Sequence, residues 1–400
     1  MNTPDGPLHI VFVAGEASGD SHAAAVAREL RRLEPGLRLE ALGGPRLEEA
    51  GVEVWEDFVA HATMGLFPVL KKLPYFTRAL KATVVRLAAE PPDLVVPVDY
   101  PGFNLRLSRK LRALGIPVCF YVSPQVWAWR PGRIHKIARS VDHMMVLFDF
   151  EVSLYEKVGT PVTHVGHPLF DTLSAEVPQG DLTEELGLGP EAPLVGLLPG
   201  SRRQEVQGIL PELLGAARCL FRDHPGLRFA VPVARPELRP MIEEMVRAAG
   251  GGLPLTLLDG RAHEVMQASR VALTASGTAT LELAFYGTPM VIVYKVSRFE
   301  KACLPLLGIG LIGLVNIIFG SELVLEFLDA RDRSGDIARE AALLLAEGAR
   351  RAEVVAGLQE VRGRVGEPGT AGRAARCILD LARRRRRARE SQSDCREGEL

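Results

Sequence analysis

Apolar runs of strand length alternate along the chain with longer amphipathic segments, first over residues 9–148 and again over residues 194–294. Short apolar runs fit strands that are buried on both faces of a parallel sheet, and the periodic segments fit helices covering that sheet. The pattern therefore predicts two doubly wound α/β halves. The predicted strands are His9–Ala14, Arg38–Leu42, Asp93–Val98, Pro117–Val122 and His143–Phe148, then Leu194–Leu198, Arg228–Val233, Leu255–Leu258, Val271–Thr274 and Pro289–Tyr294. The predicted helices are Asp20–Leu33, Tyr75–Ala89, Phe103–Leu114, Gln204–Phe221, Glu237–Ala249 and Thr278–Tyr286.

The periodic pattern is interrupted at Gly166–Leu188, which is rich in Pro, Gly, Asp and Thr and is interpreted as a linker. We therefore expect an N-terminal domain over residues 1–172 and a C-terminal domain over residues 173–345. Residues 346–385 are expected to form helices that pack back on the N-terminal domain. The Arg-rich end of the sequence leads into a polar tail, residues 386–400, that is expected to be disordered.

Charge and cysteine content narrow the class of protein. Lys plus Arg number 48 and Asp plus Glu 49, a net charge of −1, which argues against a nucleic-acid-binding protein dominated by phosphate contacts. The five cysteines show no CxxC spacing and favour a reduced, cytosolic compartment. Ala302–Ser321 carries no charged residue over a length that could span a bilayer, but Pro305 and four glycines disfavour a membrane helix.

The first predicted strand leads into a turn, Gly15 to Asp20, that opens the first helix. Glycine lets the backbone approach a ligand at such a turn. The GxGxxG spacing of dinucleotide-binding folds is absent, and Glu16 and Asp20 would repel phosphate but suit sugar hydroxyls. The alternative is a simple turn in which Asp20 caps the helix.

The second half contains two turns compatible with a diphosphate. Gly200-Ser201-Arg202 offers close backbone approach, a hydroxyl and a guanidinium, and Ser276-Gly277-Thr278 offers hydroxyls and amides before a helix. Glu282 follows Thr278 by one helical turn and could accept hydrogen bonds from ribose hydroxyls. The alternative is that both turns are ordinary helix starts, and the Lys-Ser/Thr of a P-loop is absent.

Asp99 follows the strand Asp93–Val98, and ligands of open α/β sheets bind beyond the carboxyl ends of strands. Asp99 is therefore a candidate general base, or alternatively a turn or capping residue. The segment Ser123–Arg130 holds two of the three tryptophans at another strand end and could line a sugar or acyl pocket, or form a packed corner of the core.

A fourth segment, His61–Phe76, combines apolar residues with cations. Leu66, Phe67, Val69 and Leu70 stand beside Lys71 and Lys72, a composition that suits a membrane interface. The alternative is an ordinary buried helix. His164 and His167 have no evident third ligand in the sequence, so zinc is not expected.

Taken together, the motifs GEASGD, DYPGFN, YVSPQVWAWR, VGHPL, LLPGSRRQEV and TASGTATLEL resemble the lipid-A-disaccharide synthase family, over about residues 8–380. The resemblance implies a GT-B fold, with two Rossmann-like domains facing a cleft and C-terminal helices. It implies an inverting transfer from UDP-2,3-diacylglucosamine to 2,3-diacylglucosamine 1-phosphate (lipid X). The N-terminal domain would face the acceptor and the membrane, and the C-terminal domain would bind the UDP-sugar. Asp99 and Arg202 match the family's catalytic residues.

The resemblance also implies the remaining site residues. The donor would be bound by Gly200, Ser201, Arg202, Ser276, Gly277, Thr278, Glu282 and Asn316, and the acceptor by Glu16, Ser18, Gly19, Asp20, Asn104, Gln125 and Trp127. Neither a metal nor another cofactor is implied. Peripheral association with the cytosolic surface of the inner membrane is implied, and a homodimer is compatible. The sequence departs from the family at Val315, Ser321 and Arg203, which concerns the detail of the donor site.

Three alternatives remain open from the sequence. One is another GT-B enzyme acting on UDP-GlcNAc, either the transferase of peptidoglycan synthesis or a 2-epimerase. Another is a binding protein that has lost catalysis, which the presence of both Asp99 and Arg202 disfavours. The third is a membrane-embedded transport or scaffold protein built on Ala302–Ser321.

Overall fold

The chain divides into two compact units in its structure, a computed structural model. Unit 1 comprises Met1–Asp171 and Gly366–Leu400, and unit 2 comprises Thr172–Val365. The structure describes residues 6–61, 66–127, 131–189, 192–296 and 311–397, with side chains for all of these except 66–72, 131 and 392–397.

Unit 1 is built on a seven-stranded parallel sheet of order β3-β2-β1-β4-β5-β6-β7. The strands are β1 His9–Ala14, β2 Arg38–Gly43, β3 Glu53–Asp57, β4 Leu94–Val98, β5 Cys119–Tyr121, β6 His143–Val146 and β7 Val162–His164. The helices are α1 Ala17–Leu33, α2 Pro45–Glu49, α3 Leu66–Ala89, α4 Pro101–Ala113, α5 Ile134–Ala138, α6 Asp149–Glu156 and α7 Pro168–Ala175, with 3₁₀ turns at Val59–His61 and Pro131–Arg133. The boundary between the units falls within α7.

Unit 2 is built on a six-stranded parallel sheet of order β10-β9-β8-β11-β12-β13. The strands are β8 Leu194–Leu198, β9 Arg228–Val233, β10 Leu255–Asp259, β11 Val271–Ala275, β12 Met290–Tyr294 and β13 Glu326–Leu328. The helices are α8 Leu182–Glu185, α9 Arg203–Asp223, α10 Arg239–Ala248, α11 Ala262–Ala268, α12 Ala279–Tyr286, α13 Leu314–Phe319, α14 Ser334–Leu345 and α15 Ala349–Val365, with a 3₁₀ turn at Pro236–Leu238. The last helix, α16 Thr370–Glu397, belongs to unit 1.

The central strands explain why the alternating pattern of the sequence predicts this architecture. Every residue of β1, β4, β8 and β11 is buried, because helices cover both faces of each parallel sheet. Strands of this kind read as uninterrupted apolar runs, and the prediction of two parallel α/β halves is confirmed.

Each sheet has one point where the strand order reverses, which we call its switch point. In unit 1 the neighbours β1 and β4 pair in parallel with Ala14 opposite Val98, and in unit 2 β8 and β11 pair with Leu198 opposite Thr274. Chain connections leave such a pair in opposite directions, so a crevice opens at the carboxyl ends of the two strands. Glu16 and Asp99 follow the first pair, and Arg202 and Ser276 follow the second.

Several elements differ from the sequence expectation. The segment expected to be a linker, Gly166–Leu188, contains α7 and α8. The edge strand β3 was not predicted, because it is short, charged and mostly exposed and so lacks an apolar run. β7 and β13 were missed as well, since each has only three half-buried residues.

The C-terminal helices also differ from expectation, because they belong to different units. α15 is part of unit 2, whereas α16 returns to unit 1, where Ala374, Ala375 and Ile378 are fully buried. The segment expected to be disordered from residue 386 is helical to Glu397. Basic side chains at and just before the start of this segment hold it on unit 1, since Arg386 pairs with Asp93 and Arg383 pairs with Glu34 at 2.6 Å.

The segment expected to contact a membrane lies at the start of α3. The side chains of Leu66, Phe67, Val69 and Leu70 are outside the described residues. At the described end of the segment, Leu73 is 44% exposed, whereas Tyr75 and Phe76 pack against the core of unit 1. Among the described residues, no helix combines the length and apolar character needed to cross a membrane. Residues 302–310 of the segment Ala302–Ser321 lie outside the described residues.

Candidate active site

Two carboxylates lie near each other at the switch point of unit 1. Burial raises the pKa of Asp99, and a hydrogen bond from the backbone of Tyr100 lowers it in part. Burial and the negative charge of Asp99 together raise the pKa of Glu16. A carboxylate whose pKa is raised toward neutrality is a better proton acceptor than an ordinary surface aspartate. Asp99 therefore has the environment expected of a general base.

The backbone around Asp99 adopts an uncommon conformation. Asp99 and Tyr100 have φ values of +49° and +45°, and Val122 at the end of β5 has a φ of +68°. Such left-handed conformations cost roughly 1–2 kcal/mol for residues other than glycine, and they concentrate at functional sites. Gly15 makes this turn possible, because a Cβ atom at that position would lie 2.2 Å from Cδ1 of Tyr100.

Asn104 holds this strained turn in place. Its fully buried side chain donates from Nδ2 to the carbonyl oxygens of Asp99 at 2.8 Å, Val98 at 3.2 Å and Val13 at 3.2 Å. Each such bond contributes about 0.5–1.5 kcal/mol, enough together to offset the left-handed turn. Because its amide hydrogens are engaged by backbone groups, Asn104 positions this turn, while its buried Oδ1 has no hydrogen-bond partner among the described residues. Its contact with the acceptor stays a prediction.

The residues of the first turn divide by exposure. Ser18 is exposed beside the half-buried Glu16, so both side chains are accessible to a ligand. Gly19 is buried, and a Cβ atom there would lie 3.3 Å from the carbonyl oxygen of Val98. Asp20 is also buried, and it accepts hydrogen bonds at 2.9 Å from the amides of Gly44 and Arg46. Asp20 thus connects α1 to the start of α2, and its contact with the acceptor stays a prediction.

A second group of polar residues lies at the ends of β5 and β6. Trp127 donates from Nε1 to Glu151 at 3.3 Å, and the other carboxylate oxygen of Glu151 accepts from the amides of Leu147 and Phe148 at 3.2 Å. Gln125 is exposed nearby in sequence, and residues 128–130 are outside the described residues. Glu151 therefore fixes the orientation of Trp127, one of the residues expected to bind the acceptor.

Glu151 is only 2% exposed, and burial raises its pKa to about 7, against the hydrogen bonds that lower it. Because the pKa is higher in the folded state than its ordinary value of 4.5, the folded state holds this proton more tightly. Folding stability is therefore greatest below the ordinary pKa and is lost as the pH rises toward 7.

The substitution Glu151→Gln removes this titration. Between about pH 5 and pH 8 the stability of wild type relative to this variant should fall by about 3 kcal/mol, in favour of the variant at the higher pH. Thermal unfolding of both proteins across this range measures the difference. Glu156→Gln, an exposed glutamate on the same helix, is the matched control and should follow wild type. Parallel curves for wild type and Glu151→Gln would show that Glu151 is ionised throughout.

The switch point of unit 2 opens into a pocket of about 370 Å³. Its walls include every residue of the two predicted diphosphate turns together with Glu282; the expected donor residues there are Gly200, Ser201, Arg202, Ser276, Gly277, Thr278 and Glu282. Gly200 has a φ of +102°, and a Cβ atom there would lie 2.6 Å from a carboxylate oxygen of Glu205. Glycine is therefore required at this position both by its conformation and by its space.

Glu205 already accepts hydrogen bonds from the amides of the Gly200-Ser201-Arg202 turn. One of its oxygens accepts from the amides of Ser201 and Arg202 at 3.2 Å, and the other pairs with the Arg202 guanidinium at 2.8 Å. Arg202 is otherwise 69% exposed at the edge of the pocket. A bound phosphate would compete with this carboxylate for Arg202 and for the two amides.

The Ser276-Gly277-Thr278 turn differs from the Gly200-Ser201-Arg202 turn in the state of its amides. Among the described residues, no acceptor takes up the amides of Gly277, Thr278 and Ala279, which lie at the start of α12. Ser276 donates to the carbonyl of Ile312 at 3.4 Å, and nothing lies within 4 Å of the position that a Cβ atom of Gly277 would occupy. Amides of this kind at a helix start favour an anion.

Glu282 lines the same pocket beside His263. Burial raises the pKa of Glu282, and the nearby His263 lowers it in part. Nδ1 of His263 is buried and has no hydrogen-bond partner among the described residues. A carboxylate and an imidazole so placed can hold the hydroxyl groups of a bound nucleoside.

Asn316, predicted at the donor site, is held by groups of the protein itself. It is fully buried, and its amide donates to the carbonyl of Val324 at 2.8 Å and to Glu326 at 2.7 Å. Its oxygen accepts from the amides of Leu323 at 2.9 Å and Val324 at 3.0 Å. All four hydrogen-bonding positions of the side chain are used within the protein, and a direct contact with the donor stays a prediction.

Asn316 acts on the pocket indirectly, through Glu326 and Ile312. Glu326, its carboxylate partner, also accepts from the amides of Ile312 and Gly313, both at 2.9 Å. The carbonyl of Ile312 accepts from Ser276 in the pocket wall. Asn316 therefore positions the loop against which Ser276 is held.

Sequence reasoning missed the site residues that act on other residues. Glu151, Glu205 and His263 each follow a strand by a few positions, as the predicted residues do, so a signal was present. Their hydrogen-bond partners could not be predicted from the sequence, since the carboxylates of Glu151 and Glu205 are bound mainly by backbone amides.

Comparison with known proteins identifies the family. A family model described as lipid-A-disaccharide synthetase matches residues 10–368, a span that includes both switch points. The chain belongs to this family. The lipid-A-disaccharide synthase of Myxococcus xanthus is 41% identical over 376 residues, which cover 94% of this chain and 98% of that protein. The lipid-A-disaccharide synthase of Trichlorobacter lovleyi is 39% identical over 380 residues, with the same coverage of both chains.

Solved structures with the same fold are more distant in sequence. The MnaA–UDP co-structure of S. aureus has a TM-score of 0.59 at 13% identity and covers 94% of this chain and 97% of that chain. The UDP-GlcNAc 2-epimerase of Neisseria meningitidis, bound to UDP-GlcNAc, has a TM-score of 0.57 at 12% identity and covers 94% and 99%. These similarities show the fold, and the GT-B class expected for a lipid-A-disaccharide synthetase is confirmed. Membership of the family also favours glycosyl transfer over the 2-epimerase alternative.

Proposed function

We propose that this chain joins UDP-2,3-diacylglucosamine to 2,3-diacylglucosamine 1-phosphate, giving the β-1,6-linked lipid A disaccharide 1-phosphate and UDP. The observation that carries the proposal is the family match over residues 10–368 together with relatives of the same name at 38–42% identity. The structure supports it with a half-buried carboxylate at the strand ends of unit 1 and an anion-compatible pocket in unit 2.

The reaction is a single displacement at the anomeric carbon of the donor. The 6-hydroxyl oxygen of the acceptor forms the new bond to C1, its proton passes to Asp99, and the C1–O bond to UDP breaks with its electron pair on the diphosphate. Attack from the face opposite UDP converts the α linkage to β. Asp99 suits the proton transfer because burial raises its pKa, and Glu16 beside it suits the binding of sugar hydroxyls.

The pocket of unit 2 is assigned to UDP. The amides of Gly277 and Thr278 and the guanidinium of Arg202 would meet the charge that develops on the diphosphate, and Glu282 would accept from the ribose hydroxyls. Glu205 would give up Arg202 to the phosphate, a change of partner that the exposed ion pair permits at a cost of about 1 kcal/mol or less.

Incubation with UDP-2,3-diacylglucosamine and lipid X tests the proposal. Mass spectrometry should show the disaccharide 1-phosphate together with an equal amount of UDP. A 2-epimerase acting on UDP-GlcNAc would give an isomer of the donor and no disaccharide, so the product distinguishes the two functions. UDP released without disaccharide would contradict the assignment of the acceptor.

The acyl chains of both substrates place them in a bilayer, so we include peripheral association with the cytosolic surface of the inner membrane in the proposal, and a homodimer as the assembly to be tested. The exposed Leu73 on α3 supports a membrane contact near the start of that helix. Release of the protein from a membrane fraction by salt would support peripheral association, and light scattering would establish the oligomeric state.

A further inference from the structure

A groove of about 480 Å³ lies between α4 and α5 of unit 1. Five basic side chains line it: Arg106, Arg109, Arg133, Lys136 and Arg139. Leu105, Ile137 and Ser140 complete the lining. Ile137 and the neighbouring Leu107 and Leu111 pack into the core of unit 1, so the two helices are fixed on the sheet while their basic residues face outward. The groove shares no residue with the Asp99 region or with the pocket of unit 2.

The charge of the groove is one-sided. No carboxylate among the described residues lines it, and Arg106, Arg109, Lys136 and Arg139 form no ion pair with a described carboxylate. Asp142, which follows the groove in sequence, is already held by Arg112 at 3.4 Å and Arg385 at 3.2 Å. Some exposed arginines elsewhere in unit 1 do have an acidic partner, as Arg383 has in Glu34.

No described carboxylate neutralises the positive charge of Arg106, Arg109, Lys136 and Arg139. Like charges around one concavity repel, and solvent and salt only reduce that cost. The chain as a whole has a net charge of −1, so a basic groove is not a consequence of general composition. An anion bound in the groove would remove the repulsion and gain several charge-assisted hydrogen bonds.

The side chains point to phosphate as the anion. Four of the five cations are arginines, whose planar guanidinium matches two oxygens of a phosphate group, and Lys136 adds a compact charge. The volume lies within the range of small-molecule sites and leaves room for a phosphate group with its substituent. We propose that the groove between α4 and α5 is a phosphate-binding site separate from both switch points. The phosphate could be carried by an anionic lipid headgroup or by a soluble molecule, since both offer the same chemistry.

The test compares two charge-matched double variants. Arg106→Gln with Arg109→Gln removes two groove cations, both exposed on α4. Arg28→Gln with Lys157→Gln removes two exposed cations that do not line the groove. Circular dichroism and thermal unfolding establish that both variants are folded. The readout is binding rather than transfer activity, so its outcome is independent of the proposed reaction.

Two probes separate the sources of phosphate. The first is inorganic pyrophosphate, measured by calorimetry, and the second is sedimentation with phosphatidylcholine vesicles that contain or lack phosphatidylglycerol. The groove variant should bind at least one probe about 30-fold more weakly than wild type, since each basic residue near an anionic surface contributes about 1 kcal/mol and each 1.4 kcal/mol is tenfold. The control variant should bind as wild type does.

The pattern of loss identifies the ligand. A loss confined to vesicles with phosphatidylglycerol assigns the groove to lipid headgroups, and a loss confined to pyrophosphate assigns it to a soluble phosphate compound. Pyrophosphate can also enter the pocket of unit 2, which gives a binding component shared by all three proteins, so the expected weakening applies to the separate component that only the groove variant changes. If the groove variant binds both probes as tightly as the control does, the groove is not a phosphate site.

Discussion

Asp99→Asn is expected to lower the turnover of disaccharide formation by about 10²–10⁴-fold, the usual contribution of a general base. Asparagine is the appropriate replacement because it tolerates the left-handed conformation that Asp99 adopts at a φ of +49°. The fold and the binding of UDP should therefore be retained. Initial rates, thermal unfolding and UDP titration of the variant measure the three quantities.

The pH dependence of the wild-type enzyme supplies a second measurement of the same residue. Asp99 must be ionised to accept a proton. Because burial raises its pKa, kcat/KM should begin to fall on acidification at a pH above the ordinary pKa range of aspartate. The residual activity of Asp99→Asn should lack this acidic limb. Turnover of the variant within threefold of wild type would remove Asp99 from the mechanism.

Arg202→Ala should lower turnover by about 10²–10³-fold, as expected when one group that stabilises developing charge is removed. Arg203→Ala is the matched control, because Arg203 is the adjacent exposed arginine and does not line the pocket. If Arg202 acts mainly on the leaving diphosphate, kcat should fall by a larger factor than KM rises.

Two results would contradict this assignment. Equal losses in Arg202→Ala and Arg203→Ala would indicate a general effect of positive charge near the pocket. Loss of wild-type activity in EDTA that Mg²⁺ or Mn²⁺ restores would show that a metal ion, rather than Arg202 and the amides after Ser276, meets the charge of the diphosphate.

The central elements of the fold are predictable from sequence because they are buried on both sides. β8 and β9 were predicted at the bounds they have, Leu194–Leu198 and Arg228–Val233, since their residues form continuous apolar runs. β3 was not predicted, because an edge strand exposed to solvent need not be apolar. Prediction thus follows the apolar run: the edge strand β10 has one and was predicted, whereas β3 lacks one and was not.

The candidate site was predictable in its location but not in its division of roles. The strand ends that carry Asp99, Arg202 and Ser276 could be located because a polar, glycine-containing segment follows each apolar run. The contacts of Asp20, Asn104 and Asn316 could not be predicted, because their partners are mainly backbone groups brought close only by folding. Nδ2 of Asn104, for example, reaches the carbonyl of Val13, 91 positions earlier in the chain.

The return of α16 to unit 1 has a consequence for the order in which the protein is made. Unit 2 is continuous from Thr172 to Val365 and can fold once that stretch has left the ribosome. Unit 1 is synthesised first, but the helix whose Ala374, Ala375 and Ile378 are fully buried, and whose Arg386 pairs with Asp93, is synthesised last. The nascent Asp99 region therefore stays on an incomplete unit throughout translation of unit 2, and becomes part of a finished enzyme only when residues 366–397 emerge.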